Sequence, residues 1–238
     1  MALIVNFVAF APLTYTSIWL QGVEGVSPIG VGLSTLPLAG AAFLVSWQAG
    51  RSLHRLHPGR VIAAGLALVA AGSFAGAALL HGDASWPALT AGLALTGTGT
   101  GLAVPSLTAA AMGSVPPDRG GIASGMVSTA RQLGFAIGIA VLATAFNAGA
   151  TASLASAGVP DPAAVADALS AGRAAPGPAA VPAALHDAAL AGLDRVFLLS
   201  GALAAAGALA VIVLVRAVRD SATPPATEST TGMRKAHA

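Results

Sequence analysis

Arg131 is the residue with the most chemistry to offer. It lies inside a long apolar run, roughly 121–147, and is followed directly by Gln132. An ionisable side chain within a membrane-spanning stretch is costly, so it faces a cavity or a partner. One reading makes Arg131 a substrate-binding or cavity-lining cation. The other makes it an anchor, bonded to carbonyls of neighbouring helices and holding a bundle together. If a helix enters the bilayer at Gly121, Arg131 is about 15 Å along it, near the midplane. Asn6 and Tyr15, with Thr14, Thr16 and Gln21, put further polar groups in the first apolar run. They can face a polar pathway, although threonine can equally bond its own helix backbone.

Other chemistries find little support. No Asp or Glu lies well inside an apolar run, so the chain lacks the buried carboxylate through which proton-coupled transporters relay protons. His54 and His57 sit in a polar loop with no carboxylate close in sequence, which suits solvated residues better than metal ligands. No run pairs a Ser or Thr nucleophile with a His or Asp base. Cysteine is absent, which excludes disulfides and thiolate sites. No catalytic residue, metal or cofactor is expected.

The elements that must carry these residues follow from composition. Of 238 residues, 55% are hydrophobic and 8% charged. Mean hydropathy is +0.80. A soluble domain carries about 25% charged residues, so a soluble enzyme is excluded and a polytopic membrane protein remains. The net charge is only +2, which leaves no basic patch dense enough for nucleic acid. A spanning helix needs about 20 apolar residues. Six runs qualify, at about 2–21, 29–49, 60–80, 87–112, 121–147 and 194–216. They are too long and too unalternating for barrel strands. The fold class expected is therefore an all-α membrane protein of six transmembrane helices. Residues 1–148 hold the first five and 194–216 the last.

Lys and Arg cluster by position. The loop near 50–60, the loop at 113–120 and the C-terminal tail hold eight of them; the alternate loops hold only Arg173 and Arg195. The positive-inside rule puts both termini in the cytoplasm. Tyr15, Trp19, Trp47 and Trp86 fall near span ends, as an aromatic belt would. The Ala/Pro/Gly-rich stretch 149–193 is expected as an extracytoplasmic loop, either with short surface helices near 161–171 and 181–192 or as a linker. The Ser/Thr/Pro-rich tail 217–238 is expected to be disordered.

Small residues recur at helical spacing. Gly97 and Gly101 precede Pro105. Gly121 and Gly125 are four apart, as are Gly134 and Gly138. Such spacing lets helix backbones approach closely, and Pro105 can kink its helix. These residues are candidates for helix packing or bending, or for ordinary membrane packing. The Gly-x-Gly-x-Gly run has no strand before it, so it is no nucleotide loop.

Taken together, Gln21–Pro28, the loop Gly50–Arg60, Ser114–Gly125 and Thr129–Gly138 resemble, in order, the C-terminal half of major facilitator superfamily transporters. The most similar group is the multidrug proton antiporters with fourteen spans. The cytoplasmic loop motif falls on Gly50, Arg51, Arg55 and Arg60, with Asp118 and Arg119 in the next inner loop. His54 stands where the family has an Asp, His57 where it has a Gly, and Gly59 at a basic position. The resemblance implies that Arg55 or Arg60 pairs with Asp118 or a helix C-terminus. It also implies one bundle of a two-bundle transporter, with substrate held between bundles and coupling carboxylates in the other half. Expected partners are the lipid bilayer, a small-molecule substrate, and a missing N-terminal half or a second copy. Met1 runs at once into hydrocarbon, which suggests a truncated or split gene product. The function expected is drug or small-molecule efflux at the plasma membrane. A non-transporting membrane remnant and, less well supported, a six-span membrane enzyme are the alternatives.

Overall fold

The computed structural model describes residues 1–52, 57–80, 87, 89–173 and 182–221. All regular structure among them is helical. In hydrocarbon a helix satisfies its backbone within one segment, and Ala and Leu, abundant here, favour helix intrinsically.

Helix α1 runs Ala2–Gly22. The short α2, Pro28–Ser34, starts at Ser27, whose hydroxyl accepts from Gly30 N at 3.2 Å. That is an N-cap with proline at the first helical position. Helix α3, Leu36–Ser52, follows after a 40° bend. Helix α4, Pro58–Leu79, is capped by His57 Nδ1, which accepts from Gly59 N at 3.2 Å. Helix α5 covers Leu89–Gly113. A 3-10 turn, Pro117–Arg119, leads into α6, Gly120–Ser156. Helix α7 is Pro162–Ser170 and α8 is Pro182–Ser221.

The helices form one bundle. α1 packs on α6 and α8, α4 on α5 and α8, and α3 on α5. Trp19, Phe146, Leu66, Leu142 and Leu193 are fully buried within it. Contacts between glycines and their neighbours give the directions. Gly134 of α6 faces Leu3 and Gly138 faces Phe7 and Ala11, so α1 and α6 run parallel. Gly59 meets Val215 while Gly76 meets Phe197, so α4 and α8 are antiparallel. These directions bring Met1, Arg60, Arg119 and Arg216 to the same end of the bundle.

Four helices among the described residues are long and apolar enough to cross a membrane: α1, α4, α6 and α8. The bent pair α2–α3 makes a fifth if taken as one span. The sixth expected run, 87–112, forms α5, which is long enough and uncharged. Its threonines and glycines dilute its hydropathy, and that keeps it out of this set.

The structure corrects two expectations. The stretch 149–193 is not a separate loop throughout, because α6 continues to Ser156 and α8 already begins at Pro182. With 37 residues, α6 is about 55 Å long, well beyond a hydrocarbon core of about 30 Å. Nor do Tyr15 and Trp19 sit at the surface as belt residues would. Trp19 is 0% and Tyr15 3% exposed, because both rings fill the interior beside α6 and α8. Trp47 is exposed. Trp86, His54, Arg55 and the tail from 222 lie outside the described residues, as does the Arg51 side chain.

Candidate functional site

Helix α5 is held on two sides by backbone-to-backbone contact. Gly99 packs against Gly65 and Val69 of α4, while Gly97 and Gly101 sit against Leu38 and Ala42 of α3. A Cβ at Gly101 would come within 2.6 Å of the Ala42 carbonyl oxygen, so only glycine admits this approach. Pro105, one turn on, has no N–H to offer the Gly101 carbonyl. Ser46 of α3 fills that vacancy, its hydroxyl donating to Gly101 O at 3.0 Å. The donor lost to proline is thus replaced from the next helix.

Past the proline, α5 meets Arg131. Its Nη2 donates to Thr108 Oγ1 at 2.8 Å and reaches Val104 O at 3.5 Å. The Thr108 hydroxyl in turn donates to Val104 O at 2.9 Å. The guanidinium is half-buried, and only Nη2 is engaged among the described residues. Its remaining donors stay available. Gln132 beside it is exposed. Arg131 therefore ties α6 to the end of α5 and still presents positive charge at the bundle surface.

Counting from Gly121 is not the same as counting from the ends of α6. Because α6 extends to Ser156, its middle is Gly138, about 10 Å beyond Arg131. Arg131 lies toward the end of the bundle that carries Arg60, Arg119 and Arg216.

The other expected site residues separate by environment. Tyr15 donates to Ile139 O at 2.6 Å and stacks on Phe146 with centroids 5.5 Å apart. Its hydroxyl is committed to the α1–α6 seam rather than to an open surface. Asn6 is half-buried on α1. Thr16 bonds Pro12 O of its own helix at 3.1 Å. Gly134 and Gly138 pack against α1, whereas Gly121 and Gly125 are exposed with nothing within 4 Å of an added Cβ. The packing expected at those two is not made among the described residues. Gly50 is likewise exposed. Asp118 lies 4.0 Å from its neighbour Arg119, both exposed, and Arg60 makes no ion pair among the described residues. Arg60 and Asp118 therefore do not pair with each other among the described residues, and Arg55, the other residue expected to pair there, lies outside them.

Sequence reasoning missed three partners. Ser46 and Thr108 are ordinary hydroxyl residues until their neighbours are known, although Pro105 signals that some donor is needed. At the opposite end of the bundle, His186 Nδ1 of α8 sits 3.0 Å from Glu24 Oε1 in the α1–α2 connection. The ring of His186 tilts against buried Trp19 at 6.4 Å. Nothing in sequence links residues so far apart.

Comparison with known proteins fits this arrangement. Residues 1–139, covering α1 to α5 and the Arg131 part of α6, match the family model for the Major Facilitator Superfamily. The chain belongs to that superfamily. With its long apolar helices, this makes it a multi-pass membrane protein of a transporter family.

Several superfamily relatives are similar. The multidrug resistance protein Stp of Mycobacterium tuberculosis is 35% identical over 63% of this chain and 28% of its own length. The tetracenomycin C resistance and export protein of Streptomyces glaucescens is 28% identical over 92% of this chain and 44% of its own. The multidrug efflux pump LfrA of Mycolicibacterium smegmatis is 30% identical over 62% and 30%, respectively. The chain spans less than half the length of each.

Proposed function

We propose that this chain forms the C-terminal bundle of a drug or small-molecule efflux transporter, a proton antiporter of the group with fourteen spans. The observation that carries the reading is Arg131. It is anchored to Thr108 just past Pro105, keeps unused donors, and lies within a stretch shared with relatives named for multidrug resistance and efflux. A cation held this way can meet an anionic or polar group of a small molecule passing between bundles. Gln132, exposed beside it, adds amide donors and an acceptor. Both line the pathway in this reading, with Asn6 on the neighbouring helix.

Six spans cross the plasma membrane, α5 among them, shielded by α3 and α4 where its threonines lower its hydropathy. The end carrying Arg60, Arg119 and Arg216 faces the cytoplasm, in keeping with the positive-inside rule. The tail after α8 lies on that side and α7 on the other. The exposed face of α6 with Gly121 and Gly125 is where a second bundle, from an N-terminal half or another copy, closes the pathway.

The test is ethidium accumulation in the source organism. Deleting the coding sequence should raise accumulation, and supplying the wild-type sequence should restore export. Arg131→Ala at equal membrane abundance should fail to restore it. Unchanged accumulation on deletion would overturn the efflux reading; full rescue by Arg131→Ala would overturn the role of the arginine.

A further inference from the structure

The described arginines differ in what they face. Arg119 pairs with Asp118 and Arg173 with Asp167, while Arg131 donates to Thr108. Arg60 and Arg216 instead share a cleft of about 330 Å³ between the start of α4 and the end of α8. Gly59, Ala63, Ile212 and Val215 complete its lining among the described residues, and none of these is a carboxylate. Gly59 lies against Val215 of α8. A side chain there would overlap Val215, so the absence of one lets the first turn of α4 close on α8. The first free backbone donor of that turn, Gly59 N, is already taken by His57. An anionic ligand there would meet the two guanidinium groups instead.

We propose that this cleft binds the headgroup phosphate of an anionic phospholipid. Two arginines lining one cleft, with no carboxylate among its described lining residues, suit a phosphate, which arginine recognises through paired N–H donors. The volume lies at the lower end of the range for small-ligand sites, enough for a headgroup. The apolar side of the cleft distinguishes lipid from free phosphate. Ile212 lines it and is itself exposed, and Leu209, Val213 and Leu214 continue the exposed apolar surface along α8. Acyl chains can lie there while the phosphate stays at the helix ends. Basic pockets between helices on the cytoplasmic side bind anionic headgroups in this way. The inference rests on the membrane orientation proposed above.

Native mass spectrometry of the purified full chain tests it, in detergent carrying equal phosphatidylglycerol and phosphatidylcholine. The wild type should retain phosphatidylglycerol selectively, and Arg60→Gln with Arg216→Gln should lower that selectivity about tenfold. Arg60→Lys with Arg216→Lys, which keeps both charges, should preserve most of it and serves as the folding control. Excess inorganic phosphate should not displace the lipid. Equal lipid selectivity in the wild type and the Gln pair overturns the site, and so does displacement by phosphate, which would mark a free-anion site. Orientation is read separately, by labelling a unique Ser114→Cys with an impermeant maleimide in intact cells. A failure there leaves the lipid result intact, so the two readings fall independently.

Discussion

Helices α5 and α6 carry the same small-residue spacing and use it differently. On α5, Gly97, Gly99 and Gly101 are buried against the backbones of α3 and α4. On α6 the usage changes along its length. Gly134 and Gly138 pack on α1, while Gly121 and Gly125, a few turns earlier, face nothing among the described residues. Small residues make close approach possible, but a neighbour must be there to use it. The packed pairs therefore belong to the interior of this bundle. The open pair marks a face whose occupant, in the proposed transporter, lies outside it.

The difference can be broken most directly at Gly97. Its Cβ would meet the Leu38 carbonyl, and backbone cannot yield as a flexible side chain can. Gly97→Val should cost about 3 kcal/mol by forcing α3 and α5 apart. The measurement is the thermal unfolding midpoint of purified protein, with loss of monodisperse material in the extreme. A wild-type midpoint would show that the seam is not tight.

A smaller loss is expected at the hydroxyl that serves the proline. Ser46→Ala leaves the Gly101 carbonyl without a donor and should cost about 1.5 kcal/mol. Combining it with Pro105→Ala, which restores the intrahelical donor, should recover most of that loss. Additive losses would break the link between Ser46 and the proline.

The packed part of α6 is tested by Tyr15→Phe, which keeps the stacking on Phe146 and removes the bond to Ile139 O. About 1 kcal/mol should be lost. Replacing the open pair should have the least effect. Gly125→Ala should change the stability of this chain by no more than about 1 kcal/mol, and in the stabilising direction, since alanine favours helix. Any harm should appear only as lost ethidium export. A clear fall in stability would show that Gly125 is packed after all.

Legibility in the sequence followed the range of the interactions. Apolar runs were visible because hydropathy is a local sum, and five of the six correspond to helices that pass on length and composition, with α2–α3 counted as one. α5 was read as an apolar run like the others, but its hydropathy falls short of theirs. Its Thr98, Thr100 and Thr108 bond carbonyls of their own helix, which lets it carry polar residues that hydropathy counts against it. Arg131 stood out because charge in an apolar run is rare. Its partner Thr108 did not, since threonines are common in this chain. Trp19 looked like a belt residue by position and proved to be core, because burial depends on which helices pack beside it.

By itself, the sequence determined a helical, membrane-embedded chain, the segments that carry positive charge, and the places where helices could pack closely or lose a backbone donor. These properties depend on each residue and its near neighbours along the chain. Tertiary structure decided which of those possibilities are used. It set Ser46 on the Gly101 carbonyl, His186 on Glu24, and Arg60 and Arg216 at one cleft, all between residues far apart in sequence. It also left Gly121 and Gly125 open. The physical reason is that hydrogen bonds and van der Waals contacts act over only a few ångströms, so their partners are fixed by how the helices come together.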